Sequence, residues 1–116
     1  MKRTFSMTVG LLSCAVLLLA APAAHAAAVD AAAAQSFAKD NECFKCHTLE
    51  KTKKGPSYKK IAAKYKGKAD AEATLFKHLT TGPKVKLEDG TEEDHKIIES
   101  KDEAEAKNLV RWILSL

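Results

Sequence analysis

The chain has 116 residues, with 19 basic and 15 acidic side chains, and 46% of its residues are hydrophobic. A chain of this length forms one domain with a small core, which excludes a second globular domain. The formal net charge is only +4, an excess too small to indicate binding to nucleic acid.

The first 26 residues are typical of a secretory signal peptide. Lys2 and Arg3 form a positive start, an apolar run follows over residues 11–19, and residues 24–26, Ala-His-Ala, have the small-x-small pattern of a cleavage site. The apolar run is too short to favour a transmembrane helix. A lipoprotein signal that ends at Cys14 is a weaker alternative.

We therefore predict a mature chain of residues 27–116. Lys2 and Arg3 are the only Lys, Arg, Asp or Glu residues in the predicted signal peptide, so the mature chain has 17 basic and 15 acidic side chains. This near-balance argues against a nucleic-acid partner. We expect the mature chain to have no membrane span.

The mature chain begins with an alanine-rich stretch that predicts a helix. Asp30 is placed to cap this helix, which we expect to run to about Lys39. Phe37 is its one large apolar residue and should point inward. Because the next motif follows directly, we expect this helix to dock on the rest of the domain.

Residues 43–47, Cys-Phe-Lys-Cys-His, form a C-x-x-C-H run, which is typical of covalent c-type haem attachment. Cys43 and Cys46 can each form a thioether with one vinyl group of the same haem, and His47 can then bind the iron as its proximal ligand. A structural zinc site would need four ligands, and the third cysteine, Cys14, lies in the predicted signal peptide. A thioredoxin-like pair would need a βαβ unit, and the chain shows almost no strand pattern.

Two helices are predicted after this motif. Apolar residues at helical spacing indicate a helix over about residues 57–66 and another over about 70–81. Ser57 and Asp70 are placed to cap them, and Gly67 is placed to end the first.

The remaining chain predicts a loop and a closing helix. Residues 81–101 are polar, and we expect them to be irregular and held by little packing. An amphipathic helix should follow over about residues 101–115, with Trp112 on its apolar face.

These features resemble the class I cytochromes c, especially the short bacterial ones, over nearly the whole mature chain. The resemblance implies an all-α fold of about four short helices wrapped around one covalent haem c. In that family the last helix crosses the first, so Phe37 and Trp112 should lie near the crossing. Gly55-Pro56 matches the Gly-Pro of the family, whose proline carbonyl accepts a hydrogen bond from the proximal histidine and fixes its tautomer.

The chain departs from the family at the sixth iron ligand. The family usually provides a methionine, but both methionines of this chain, Met1 and Met7, precede residue 27. His95 lies in the interval where the family has that methionine, so we expect His47 and His95 to bind the iron together. His78 is the rival imidazole, although the matching family position usually faces solvent. An open sixth site and a lysine ligand remain alternatives, the lysines being Lys84, Lys86 and Lys96.

We predict a periplasmic one-electron carrier and not an enzyme. Two imidazoles stabilise ferric iron more than imidazole plus thioether does, so the reduction potential should be low. The acidic run over residues 88–94 should lower it further. We expect a monomer with redox partner proteins, and acidic partners would fit a rim of lysines: Lys45, Lys51, Lys53, Lys54, Lys59 and Lys60.

Two other functions stay open. One is a gas-binding or sensing haem protein with a labile or open sixth site, which carbon monoxide binding to the reduced form would favour. The other is an electron-accepting cytochrome subunit of a periplasmic dehydrogenase, which co-purification with a larger chain would favour.

Overall fold

The computed structural model describes residues 28–116, so the predicted signal peptide and its cleavage site lie outside the described residues. This part contains four α-helices, two short 3₁₀ turns and one two-stranded sheet. None of its helices is long and apolar enough to cross a membrane. In chain order the elements are α1 (Ala31–Asp40), a 3₁₀ turn (Cys43–Lys45), α2 (Tyr58–Tyr65), α3 (Ala71–Thr81), β1 (Lys84–Lys86), β2 (Glu92–Asp94), a second 3₁₀ turn (Ser100–Asp102) and α4 (Glu103–Leu114).

Helix α1 begins and packs as predicted. The Asp30 carboxylate accepts a hydrogen bond from the backbone N–H of Ala33 at 2.9 Å, which satisfies one of the unpaired donors of the first turn. Phe37 is buried in the core with 8% of its surface exposed. The predictions of the cap and of the inward side chain are confirmed.

Helices α2 and α3 lie where the sequence placed them, but only one of the two predicted caps makes its hydrogen bond. The Ser57 hydroxyl accepts a hydrogen bond from the backbone N–H of Lys60 at 3.1 Å. Asp70 precedes α3 at the N-cap position as predicted, but its carboxylate makes no capping hydrogen bond, and its φ of −94° and ψ of 5° depart from the extended conformation of a capping residue. Its carboxylate instead accepts a hydrogen bond from the Thr74 hydroxyl at 3.3 Å.

The predicted crossing of the terminal helices is confirmed, and it forms the centre of the core. Phe37 from α1 and Trp112 from α4 belong to the same buried cluster. At the start of α1 the Asp30 backbone N–H donates to the Asn108 side-chain oxygen at 3.0 Å. The Asn108 amide in turn donates to the Asp30 carbonyl at 2.8 Å, which fixes the two helices relative to each other.

The prediction of an irregular segment over residues 81–101 is wrong in its central part. Strands β1 and β2 form an antiparallel hairpin with Lys84 opposite Asp94 and Lys86 opposite Glu92. Oppositely charged residues therefore face each other across the strands, which stabilises the pairing. Each strand has only three residues, and most of them are charged. The strands therefore lack the alternation of apolar and polar residues from which a strand is predicted.

The segment around His95 is held on both sides, contrary to the expectation of little packing. The His95 backbone N–H donates to the Pro83 carbonyl at 2.9 Å, and that of Ile98 donates to the Leu79 carbonyl at 2.8 Å. Gly82 ends α3 with φ of +56°, and a Cβ there would lie 2.6 Å from the His95 carbonyl oxygen. This segment, residues 95–98, therefore packs directly on the end of α3.

Candidate functional site

A cavity of about 700 Å³ lies between α2, α3, α4 and the hairpin. This volume is typical of a site for an organic cofactor. Most of its walls are aliphatic, and the side chains that form them include Ile61, Leu75, Leu79, Val85, Leu87, Leu109 and Ile113. The polar side chains at its edge include those of the C-x-x-C-H run and two further histidines.

The turn after α1 directs both cysteines of the C-x-x-C-H run to this cavity. Glu42 takes a left-handed conformation with φ of 60°, and the 3₁₀ turn Cys43–Lys45 follows it. The backbone N–H groups of Cys46 and His47 both donate to the Cys43 carbonyl, at 3.2 and 3.0 Å. Cys43 and Cys46 are both half-buried, and burial raises the pKa of the Cys43 thiol. Two thiols at one edge of an apolar cavity suit a haem attached through its vinyl groups.

His47 is oriented by a backbone carbonyl and by packing. Its Nδ1 lies 2.6 Å from the Pro56 carbonyl oxygen. Because a carbonyl oxygen only accepts, Nδ1 carries the hydrogen and Nε2 keeps the lone pair that a metal needs. The ring stacks on Tyr58 with centroids 5.4 Å apart, and a Cβ at Gly55 would come within 2.9 Å of its Cε1. Burial lowers the pKa of His47, against the opposing effect of the Pro56 hydrogen bond, and this favours the neutral ring.

His95 lies across the cavity from His47 and has the same kind of partner. Its Nδ1 donates to the Lys96 carbonyl at 2.9 Å, so Nε2 again keeps its lone pair. The two ring centroids are 6.2 Å apart. A metal–imidazole bond is about 2 Å and the bonded nitrogen lies about 1 Å from the ring centre, so two rings on one iron have centres about 6 Å apart. The spacing therefore fits one iron between them.

The expectation that His78 is a surface residue is wrong. His78 is half-buried and lines the same cavity, because α3 turns its Leu75 and Leu79 face toward it. Its ring centroid lies 4.5 Å from that of His95, with the planes at 70°. Burial, followed by the charges of His95, His47 and Lys64, lowers the pKa of His78 and favours the neutral ring.

Comparison with known proteins gives one family. The family model described as cytochrome c matches residues 31–116. The chain belongs to the cytochrome c family. The class 1 cytochrome MtoD from Sideroxydans lithotrophicus ES-1 has a similar crystal structure, with 60% identity, a TM-score of 0.74, and coverage of 76% of this chain and 97% of that one.

More distant relatives give the same result. The crystal structure of cytochrome c552 from Nitrosomonas europaea is 34% identical with a TM-score of 0.59, and the match covers 71% of this chain and 98% of that one. Cytochrome c2 from Rhodocyclus tenuis is 37% identical over 82 residues, which cover 70% of this chain and 89% of that protein. The chain is thus a class I cytochrome c with one covalent haem c. It is an electron-transfer protein with redox partner proteins, and not an enzyme.

The lysines that the sequence offered as alternative ligands of this cytochrome differ in position. Lys86 and Lys96 line the cavity, whereas the Lys84 ammonium forms an ion pair with Asp94 at 3.2 Å. The Lys96 ammonium lies 3.7 Å from the Glu42 carboxylate. An ammonium must lose its proton before it can bind iron, whereas the hydrogen bond at His95 Nδ1 leaves the lone pair of Nε2 free.

The six lysines of the predicted rim are all exposed on this cytochrome, but they are not all free. Lys45 pairs with Glu42 and Lys59 pairs with Glu50, both at 2.6 Å. The Lys53 ammonium donates to the Phe44 carbonyl at 3.3 Å. These pairs reduce the charge that the rim presents to a partner.

Sequence reasoning missed two residues that shape this site. The Tyr58 ring lies between His47 and Trp112, at 5.4 and 5.5 Å from their centroids. The missing side chain of Gly82 admits the segment that carries His95. Neither contact leaves a periodic signal in the sequence, because both join residues far apart in the chain.

Proposed function

We propose that this cytochrome is a periplasmic, low-potential, one-electron carrier whose haem is attached to Cys43 and Cys46 and bound at the iron by His47 and His95. Residues 1–26 would direct export, which agrees with c-type haem being attached outside the bacterial cytoplasm. The observation that carries the proposal is the distance of 6.2 Å between the two imidazole centroids across an aliphatic cavity.

The hydrogen bonds of the two histidines support the same assignment. Pro56 and Lys96 each accept a hydrogen bond from a ring Nδ1 through a backbone carbonyl, so a side-chain substitution cannot remove either acceptor. Such partners hold a ligating imidazole in one tautomer and raise its basicity. Residues 28–116 contain no methionine that could take the place of His95.

The chain contributes ligands, orientation and an apolar environment. When bound, the haem supplies one-electron chemistry through the ferric and ferrous states of its iron. His47 and His95 would fill both axial positions, which leaves none for oxygen or carbon monoxide. Glu93 at the cavity edge would favour the ferric state and lower the potential, whereas the four lysines of the same lining, Lys60, Lys64, Lys86 and Lys96, would act in the opposite direction.

The charge distribution supports acidic redox partners. Residues 51–69 contain eight lysines and no acidic residue, whereas residues 88–94 contain five acidic residues and no lysine or arginine. A protein with one basic face can steer an acidic partner into a short-lived encounter. We propose that the cytochrome is a monomer and that its basic face, α2 with the loop before it, meets the partner.

Spectroscopy and potentiometry of the haem-loaded protein test this function. Optical and near-infrared spectra should show low-spin ferric haem with two nitrogen ligands and without the charge-transfer band of a methionine sulfur. The potential should lie below those of relatives with histidine and methionine ligands. A potential as positive as theirs, or stoichiometric carbon monoxide binding to the reduced form, would contradict the proposal.

A further inference from the structure

We infer that His78 is a second distal iron ligand held in reserve, which binds the iron when His95 leaves it. The inference rests on the proposed function, since it presumes an iron that His47 and His95 share. The observation behind it is that two imidazoles, from different elements, lie side by side at one wall of the cavity. Their ring centroids are 4.5 Å apart.

The two rings have unequal partners. His95 Nδ1 is hydrogen-bonded to the Lys96 carbonyl, which orients the ring. Within residues 28–116 no hydrogen bond joins the His78 ring to another group, although the residue is half-buried. The His78 ring nitrogens therefore have no protein partner that a metal would have to displace.

Helix α3, which carries His78, is held by contacts beyond those with segment 95–98. Helix α3 packs against α4, and the side chains of Leu75 and Leu79 on either side of His78 line the cavity. Arg111 on α4 donates to the Glu72 carboxylate at 2.9 Å, which fixes the other end of α3. Ligands on helices are placed more accurately than ligands on loops. His78 would therefore keep its position when the His95 side chain is removed.

His78 has an advantage over the lysines as the replacement ligand. Lys86 and Lys96 also line the cavity, but an amine would change the type of ligand, and the Lys96 ammonium lies 3.7 Å from the Glu42 carboxylate. Lys96 also lies next to His95, so a displacement of that segment moves both residues together. His78 lies on α3, which α4 also holds, and it is an imidazole, so the exchange would conserve the type of ligand set.

A reserve ligand and a single distal ligand predict different spin states for the His95→Ala variant. With His95 alone, removal of its side chain would leave His47 as the one protein ligand and give high-spin ferric iron, which would bind cyanide readily, as the reduced form would bind carbon monoxide. With His78 in reserve, the same variant stays six-coordinate and low-spin, and exogenous ligands bind only in competition with an imidazole.

The test compares ferric spectra of haem-loaded variants at neutral pH. We expect His95→Ala to stay low-spin with shifted bands, and the double variant His78→Ala/His95→Ala to become high-spin. His78→Ala alone should remain low-spin, because His95 still binds the iron. The matched control is Lys77→Ala/His95→Ala, which alters an exposed neighbour on α3 and should stay low-spin. His78→Gln/His95→Ala, also expected to be high-spin, replaces the double alanine variant if that variant does not load haem.

A second measurement needs only the single variant. Pulsed electron paramagnetic resonance of ferric His95→Ala with ¹⁵N-labelled histidine should detect two coordinated imidazole nitrogens. One coordinated imidazole, or a high-spin spectrum, would overturn the role of His78 and leave the His47/His95 assignment standing. A low-spin spectrum that persists in the double variant would identify a lysine instead. If His95→Ala leaves all bands unchanged and His78→Ala alone turns high-spin, the proposed ligand His95 is itself wrong.

Discussion

At the scale of single residues, the orientation of His47 depends on the absence of a side chain at Gly55. The ring is fixed from two other directions, by the Pro56 carbonyl at 2.6 Å and by the stacked ring of Tyr58. The ring therefore has little freedom to move aside if a side chain is added at position 55. A less restrained side chain could change its rotamer to make room. Gly55 therefore matters because its missing side chain leaves room for the His47 ring. Its backbone does not need a conformation that only glycine adopts.

Gly55→Ala should consequently disturb the proximal ligand. The new Cβ would lie 2.9 Å from His47 Cε1, so we expect a longer Pro56 hydrogen bond and a loss of stability of about 1–3 kcal/mol, typical of overpacking. Thermal unfolding of the haem-loaded protein measures the loss, and resonance Raman spectra report the iron–histidine bond. The adjacent exposed variant Lys54→Ala should change neither, and an unaltered Raman spectrum in Gly55→Ala would argue against this contact.

At the scale of elements, the end of α3 and segment 95–98 behave as one unit. Two backbone hydrogen bonds join them, from His95 to Pro83 and from Ile98 to Leu79. Gly82 lies between these bonds and faces Ile97, whose Cγ1 would be 2.5 Å from a Cβ at position 82. The distal histidine is therefore positioned by the helix end as much as by its own segment.

Gly82→Ala and Gly67→Ala form a pair that separates packing from backbone strain. Both glycines have positive φ, +56° and +76°, but a Cβ at Gly67 meets nothing within 4 Å. Each substitution should cost about 1–2 kcal/mol for the left-handed conformation. Gly82→Ala should cost roughly a further 1–3 kcal/mol for overpacking and should also shift the spectrum of the distal ligand. Equal losses of stability by denaturant titration, with unchanged spectra, would show that segment 95–98 does not depend on this contact.

At the scale of the whole molecule, the core is small and the cavity takes much of its interior. Trp112 joins the terminal-helix crossing to the site, because its ring meets Tyr58 edge-on at 5.5 Å and Tyr58 stacks on His47. The crossing is thus separated from the proximal ligand by one intermediate ring.

Trp112→Ala should remove the largest aromatic side chain of this core. Trp112 is 5% exposed, so we expect a loss of about 3–5 kcal/mol, a large share of the stability of a small domain. Thermal unfolding of the haem-loaded protein provides the measurement, with exposed Glu105→Ala on the same helix as the control. An unchanged melting temperature would mean that the crossing contributes little.

Export and haem attachment also concern the molecule as a whole. Mass spectrometry of the exported protein should give a chain of residues 27–116 plus one haem, bound through thioethers to Cys43 and Cys46. Replacement of either cysteine by serine should leave one thioether, and replacement of both should leave haem that acid-acetone extracts. Extraction from the unsubstituted protein would be incompatible with covalent attachment.

The sequence by itself determined the features that depend on neighbouring residues. The C-x-x-C-H run, the caps at Asp30 and Ser57, and the apolar periodicity of α4 are all local, and they sufficed to predict four helices and a haem site. The tertiary structure alone decided how the three histidines at the cavity are arranged. His47, His78 and His95 belong to three separate segments of the chain. The distances between their rings depend on how α3 packs against α4 and on where the hairpin places the residues that follow it. Those arrangements depend on contacts between distant residues, and such contacts leave no periodic pattern in the sequence.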